Sequence, residues 1–190
     1  MKKLAVLSIL LLFVMSVAQT QAQTGPNESK KEIKKEVKKE KKNERKALRK
    51  LSGTEVSNYV KNAFYADFGR IPNVKFERKE FLDEATFTKD GQEQKAFYDV
   101  DGTLVGTTIT KTFADVPADG QKFIKKNYKD YTVKQVIFYD DNEANDSDMI
   151  LYGVQFADQD NYFVELTKDN KTIVVQVDME GEVFFYKDLN

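Results

Sequence analysis

Ala85-Thr-Phe-Thr-Lys-Asp-Gly-Gln-Glu-Gln-Lys-Ala-Phe-Tyr-Asp-Val-Asp-Gly-Thr-Leu-Val105 aligns without a gap to Val164-Glu-Leu-Thr-Lys-Asp-Asn-Lys-Thr-Ile-Val-Val-Gln-Val-Asp-Met-Glu-Gly-Glu-Val-Phe184, at a constant offset of 79 residues. Thr88 falls on Thr167, Lys89 on Lys168, Asp90 on Asp169, Asp99 on Asp178 and Gly102 on Gly181. Self-similarity at a fixed period points to one structural unit used twice. Within both copies apolar and polar residues alternate, the period of a half-buried strand. Ala85, Phe87, Ala96 and Tyr98 correspond to Val164, Leu166, Val175 and Val177, and this set is expected to pack under helices. The interleaved Thr86, Thr88, Lys95 and Phe97 correspond to Glu165, Thr167, Val174 and Gln176. These eight are expected to form an open sheet face and are the candidate partner-binding residues. Phe97, an aromatic flanked by Lys95 and threonines, is the expected contact anchor.

Working outward, residues 52–68 read as a helix. Ser52 or Thr54 can cap it, and Val56, Tyr59, Val60, Ala63 and Phe64 share a face. Gly69 stops it and Pro72 prevents its resumption. Residues 117–128 read as a second helix with Phe123, Ile124 and Tyr128 as its apolar stripe. Strands are expected over 74–82, 85–89, 94–99 and 104–113 after the first helix. After the second they are expected over 133–140, 149–157, 162–168, 172–178 and 183–187. Asp90-Gly91, Asp101-Gly102, Asp169-Asn170 and Glu180-Gly181 supply tight turns, which make neighbouring strands antiparallel. The expected class is therefore α+β: two tandem helix-plus-antiparallel-meander repeats, about 51–115 and 116–190. Together they form one curved antiparallel sheet with two helices on one face.

Phe97-Tyr-Asp-Val-Asp-Gly-Thr-Leu104 is similar to the nucleophile loop of haloacid-dehalogenase-type phosphatases, with Asp99 as nucleophile and Asp101 as acid/base beside Mg²⁺. Against it, the matching Asp178-Met-Glu-Gly keeps the spacing and loses the second aspartate. Few helix-compatible windows follow Gly102, whereas a parallel sheet needs crossover helices. Aspartates before a glycine are then read as turn residues whose carboxylates cap backbone amides. Asp140-Asp-Asn-Glu-Ala-Asn-Asp-Ser-Asp148 is dense in oxygen ligands for Ca²⁺, yet lacks the glycine and terminal glutamate of an EF-hand loop. The chain has no histidine and no cysteine, which removes His-based triads, His-ligated zinc, thiol chemistry and disulfides. No catalytic residue, metal site or cofactor is expected. An Mg²⁺-dependent phosphohydrolase and a calcium-binding structural protein remain the alternatives.

The net charge of −1 conceals opposite segments. Residues 28–50 hold 12 Lys/Arg against 5 Glu, whereas residues 51–190 hold 16 basic against 26 acidic side chains. An acidic folded part argues against nucleic acid as a partner. The segment 23–50 is expected to be a solvated, partly helical spacer, its glutamates at 28, 32, 36, 40 and 44 forming i,i+3 pairs with lysines. Residues 1–22 read as an export signal. Lys2 and Lys3 precede an apolar run over 4–17, too short to span a bilayer comfortably, and Thr20-Gln21-Ala22 offers a cleavage site. The mature chain is thus expected in the periplasm or outside the cell, with no transmembrane segment.

Taken together, two helix-plus-meander units, each carrying Thr-Lys-Asp-Gly/Asn, an alternating strand and Asp-x-Asp/Glu-Gly, resemble the PepSY-like (β-lactamase-inhibitor-like, BLIP-like) exported proteins of Bacteroidetes. The resemblance covers about residues 54–190 and is carried by hairpin signatures, which hold no catalytic residues. It implies a sheet with one face exposed for binding an envelope protein or peptide, with inhibition or regulation of a peptidase as one form of that binding. The chain has neither the cysteines nor the tryptophans of the β-lactamase inhibitor.

Overall fold

The computed structural model describes residues 26–51, 53–145 and 147–190. The expected export signal and the spacer residues 23–25 lie outside them. The chain divides into two compact units, one ending at Glu44 and the other running Arg45–Asn190. The lysine–glutamate repeat is helical, within α1 (Pro26–Leu51), and its Ile33 and Val37 are exposed.

In the second unit, the helix expected over 52–68 begins later. Gly53 takes a left-handed φ of +79°, and α2 (Asn58–Phe68) is capped by Ser57, whose hydroxyl accepts from the Val60 N–H at 3.2 Å. Thr54 is therefore not the cap, and Ser52 lies outside the described residues. Four strands follow: β1 (Lys75–Arg78), β2 (Asp83–Lys89), β3 (Gln92–Tyr98) and β4 (Leu104–Lys111). Then come α3 (Ala118–Asn127), β5 (Thr132–Asp141), the short β6 (Ile150–Leu151) and β7 (Val154–Gln155), β8 (Asn161–Lys168), β9 (Lys171–Val177) and β10 (Val183–Asp188). Eight strands make one antiparallel sheet in the order β1-β2-β3-β4-β5-β8-β9-β10, so the fold is α+β. β6 and β7 form a separate hairpin.

One cross-strand row, Phe87–Gln94–Ile109–Phe138–Tyr162–Val177, crosses six strands and defines the helix side of the sheet. At one end of that side, Val56, Val60 and Phe64 pack on Ala85, Phe87, Ala96 and Tyr98. At the other, Val116 and Ile124 pack on Val136, Val164, Leu166, Ile173, Val175 and Val177. Every residue that the alternation assigned to the helix side is buried there.

Two backbone hydrogen bonds recur in the aspartate loops. The Asp99 N–H donates to Thr103 O (2.9 Å) and the Gly102 N–H to Asp99 O (3.0 Å); Asp178 N–H to Glu182 O and Gly181 N–H to Asp178 O are both 3.1 Å. Gly102 and Gly181 both sit at positive φ, +78° and +90°. A Cβ on Gly102 would lie 2.7 Å from the Tyr59 ring of α2, and one on Gly181 3.0 Å from the Gly120 nitrogen of α3. Each loop thus seats against the helix that precedes its own strands, at a distance only glycine allows.

Before α2, Arg49 and Arg78 converge on Asp83, whose side chain is fully buried. Arg78 donates Nε to Asp83 Oδ1 (2.9 Å) and Nη2 to Oδ2 (2.8 Å), while Arg49 Nη2 reaches Oδ1 at 3.0 Å. Arg78 Nη1 also donates to Gly53 O, which ties the left-handed link to β1. Burial pulls the Arg49 pKa below its ordinary value, and Asp83 is the main opposing influence.

Candidate protein-binding face

The sheet face opposite the helices carries all eight candidate residues, as the alternation requires, but part of it is covered. Residues 149–157 were expected as one strand. They fold back at Tyr152 and Gly153, both at positive φ (+51° and +74°), into the β6–β7 hairpin. This flap drives Met149 and Phe156 onto the sheet, where they join Phe97, Val105, Tyr139, Phe163 and Val174 in a third core cluster. Phe97 is 6% exposed and Val174 is fully buried. The exposed anchor expected at Phe97 is therefore a core residue; its phase is right and its solvent exposure is not. Glu165, 6% exposed, is likewise under the flap.

Polar contacts hold the flap down. The Tyr186 hydroxyl lies 3.0 Å from Leu151 O and 2.7 Å from Val154 O. Lys187 Nζ donates to Tyr152 O at 2.6 Å, and the Tyr152 hydroxyl donates to Glu165 Oε1 at 2.8 Å. Burial pushes the Tyr152 and Tyr186 hydroxyls well above the ordinary tyrosine range, so both stay protonated donors. Glu165 is also paired with Lys134 Nζ, 3.0 Å from Oε2.

What remains open is a polar platform beyond the flap. Thr88 is exposed, and Thr86 and Thr167 are half-buried. Lys95 Nζ lies 3.0 Å from Glu84 Oε1, which also accepts from the Thr86 hydroxyl. Thr86, Lys95 and Thr108 are cross-strand neighbours, as are Thr132, Thr167 and Thr172. Gln176, half-buried, donates Nε2 to Asn161 Oδ1 at 2.8 Å. Of the eight candidates, Thr86, Thr88, Lys95, Thr167 and Gln176 stay at least partly accessible. Sequence reasoning did not single out Glu84, Thr110, Lys134 or Thr172, which share this face; period-2 alternation in β2, β4 and β9 marks Glu84, Thr110 and Thr172, whereas Lys134 reaches it through the β5 bulge between Val133 and Gln135.

The alternative chemistries find little support in the geometry. Asp99 is buried, its Oδ1 accepting from the Val100 N–H at 2.7 Å, and Asp101 Oδ1 accepts from the Thr103 N–H at 3.0 Å. These are capping carboxylates in a hairpin link of an antiparallel sheet, not a nucleophile loop between parallel strands. In the acidic loop, Asn142 and Asn145 both donate Nδ2 to Leu104 O, and the Asp141 N–H donates to Asp160 Oδ1. Among the described residues no three His, Cys, Asp or Glu side chains are gathered to hold a metal ion.

On the helix side, a sheet of eight strands is about 34 Å wide at ~4.8 Å per step, whereas each helix covers about 10 Å. Its middle stays bare: Gln94, Thr107 and Ile109 floor a groove of about 650 Å³, with Asp67, Phe68 and Asp140 on its walls. Burial, then Asp160 and Asp141, raises the Asp140 pKa above the ordinary carboxylate value.

No family model matches this chain, and no curated protein matches it. Solved structures do share its fold. A DUF2874 family protein from Bacteroides uniformis is 17% identical with a TM-score of 0.58, over 70% of this chain and 89% of that one. A BLIP-like protein from Bacteroides fragilis is 16% identical with a TM-score of 0.54, over 74% and 91%. A Bacteroides eggerthii protein, provisionally described as periplasmic, is 16% identical with a TM-score of 0.58, over 70% and 89%. The α+β fold with one large antiparallel sheet is shared with these structures. No helix of the described residues is long and apolar enough to cross a membrane.

Proposed function

We propose that this chain is an exported, non-enzymatic binding module that engages an envelope protein or peptide through the open platform of the helix-free sheet face. The observation that carries this reading is the platform itself: threonine hydroxyls and the Lys95–Glu84 pair in cross-strand rows of the sheet, with the Lys134–Glu165 pair and the flap alongside. Hydroxyls and partly exposed ion pairs on a rigid support suit a polar protein surface, where they set orientation and specificity. Export to the periplasm or beyond rests on the apolar run over 4–17 and on the company of a fold neighbour described as periplasmic. In the same proposal, residues 1–22 are the signal, 23–50 a spacer, and 51–190 a domain built from two copies of one helix-and-strand unit. Restraint of a peptidase is the finer form of the reading, and it rests on the family resemblance alone.

The test is quantitative capture from the organism's own envelope fraction by the wild-type chain, by a platform variant (Thr88→Asp with Lys95→Glu) and by a helix-side variant (Lys122→Glu). A discrete protein retained by wild type and Lys122→Glu and lost by the platform variant is the expected result. Retention by the platform variant at the wild-type level would overturn the assignment of the face.

A further inference from the structure

The two edges of the sheet are built in opposite ways. β1 is four residues long and lined with charge: Glu77 is paired with Lys75 (2.8 Å) and with Lys79, and these lysines hold its carboxyl down to about 2. Short, charged edge strands are how sheets avoid pairing with one another. β10 keeps its charge (Lys187, Asp188) and a bulge at Tyr186 to its C-terminal half, and its first half has neither. Phe184 is 49% exposed and Phe185 62%, with Met179 and Leu189 exposed at either end of the strand. Their cross-strand partners, Gln176 and Val175, point to opposite faces, so one phenyl ring stands on each side of an open edge.

The molecule also shows what such an edge accepts. At the 79-residue offset β10 corresponds to β4, and the outer edge of β4 is occupied by β5, paired antiparallel from Gly106↔Asp141 to Lys111↔Val136. Among the described residues, β10 stands at the matching place without a strand beside it.

We propose that the outer edge of β10 pairs antiparallel with β10 of a second copy of this chain, continuing the sheet across a two-fold axis. A second copy offering β1 instead would press the Lys75–Glu77–Lys79 charges against Phe184 and Phe185, desolvating them, and would propagate as an open polymer. Pairing of β10 with itself is isologous, stops at two, and places the aromatic pairs of both copies side by side. A two-fold at the strand centre sets Phe185 of one copy opposite Phe185 of the other, both on the helix side of the joined sheet. Phe184 borders the helix-free face beside Gln176, whereas Thr86, Thr88 and Lys95 lie on β2 and β3 at the far side of the sheet, so the inference stands apart from the test of the proposed function.

Because the chain has no cysteine, one introduced thiol reports on this edge alone. Across an antiparallel pair Cα atoms lie about 4.5–5.5 Å apart, within disulfide reach. Under mild oxidant, Phe185→Cys is expected to run mainly as a covalent dimer, and Glu93→Cys, on the exposed hairpin end of β3, to stay monomeric. Sedimentation of the full chain from about 1 to 100 µM should give a monomer–dimer equilibrium, as mass action requires. Phe184→Thr with Phe185→Thr, which keeps strand propensity, should weaken it at least about ten-fold while leaving the thermal midpoint of the dilute monomer nearly unchanged. A monomer throughout that range, association that the threonine variant leaves intact, or growth beyond two copies would each overturn the proposal.

Discussion

Phe97→Ala separates a covered face from an open one. The ring sits among Val105, Tyr139, Met149, Phe156, Phe163 and Val174 and is 6% exposed, so truncation removes its burial and leaves a cavity between the sheet and the flap. Such a change costs about 3–5 kcal/mol in a packed core, against roughly 0.5 kcal/mol or less at a surface site. A domain of this size is stable by about 5–15 kcal/mol, so the loss is a large share of the total. At about 2–4 °C per kcal/mol, the midpoint should fall by roughly 6–20 °C. Urea titration followed by far-ultraviolet circular dichroism and tyrosine fluorescence reads the free energy, the chain having no tryptophan. Phe97→Leu, which refills most of the space, should recover most of it. A loss below about 1 kcal/mol for Phe97→Ala, at unchanged urea slope, would mean that the flap does not cover this side chain in solution and would refute the packing described here.

Three further outcomes are expected. Asp83→Ala strips Arg49 and Arg78 of their shared carboxylate and should destabilise by about 3–5 kcal/mol in urea titration, as expected when a buried ion pair loses one member. Tyr186→Phe leaves Leu151 O and Val154 O without their hydroxyl donor; a cost of about 1–3 kcal/mol is expected, with faster hydrogen exchange confined to the flap amides. Asp140 has a raised folded-state pKa, so the folded form binds its proton more readily than the unfolded chain does. Its charge therefore opposes folding above that pKa, and the penalty is relieved as pH falls through it. Asp140→Asn should accordingly raise the thermal midpoint at pH 7, with the gain over wild type shrinking as pH falls through the carboxylate range.

The helix side of this fold was legible in the sequence because alternation is a local signal: Ala85 and Phe87, like Val164 and Leu166, declare a buried face within a few residues. The turns were legible for the same reason, since Asp90-Gly91 and the Asp-x-x-Gly loops carry their own backbone requirements. Covering of the other face was not, because it depends on where a distant segment lands. Tyr152-Gly153 in the middle of an apolar run was the one local sign that residues 149–157 turn back, and a single glycine in a strand is more often a bulge. Val174 carried a hint as well: a valine on a face otherwise lined by threonine, lysine and glutamine fits burial better than exposure. Nothing local sets Ser57 above Thr54 as the cap, since both residue types cap helices; the left-handed Gly53 shows only in the folded backbone.

The platform assignment is tested most directly by site-specific photocrosslinking in the intact envelope. A photoreactive side chain is placed at Thr88 or Thr110 on the helix-free face, or at Tyr65 or Lys126 on the helices. Covalent adducts of one common mass from Thr88 and Thr110, with none from Tyr65 and Lys126, are the predicted pattern. Adducts confined to the helix positions would contradict it and move the binding surface to the other side of the sheet.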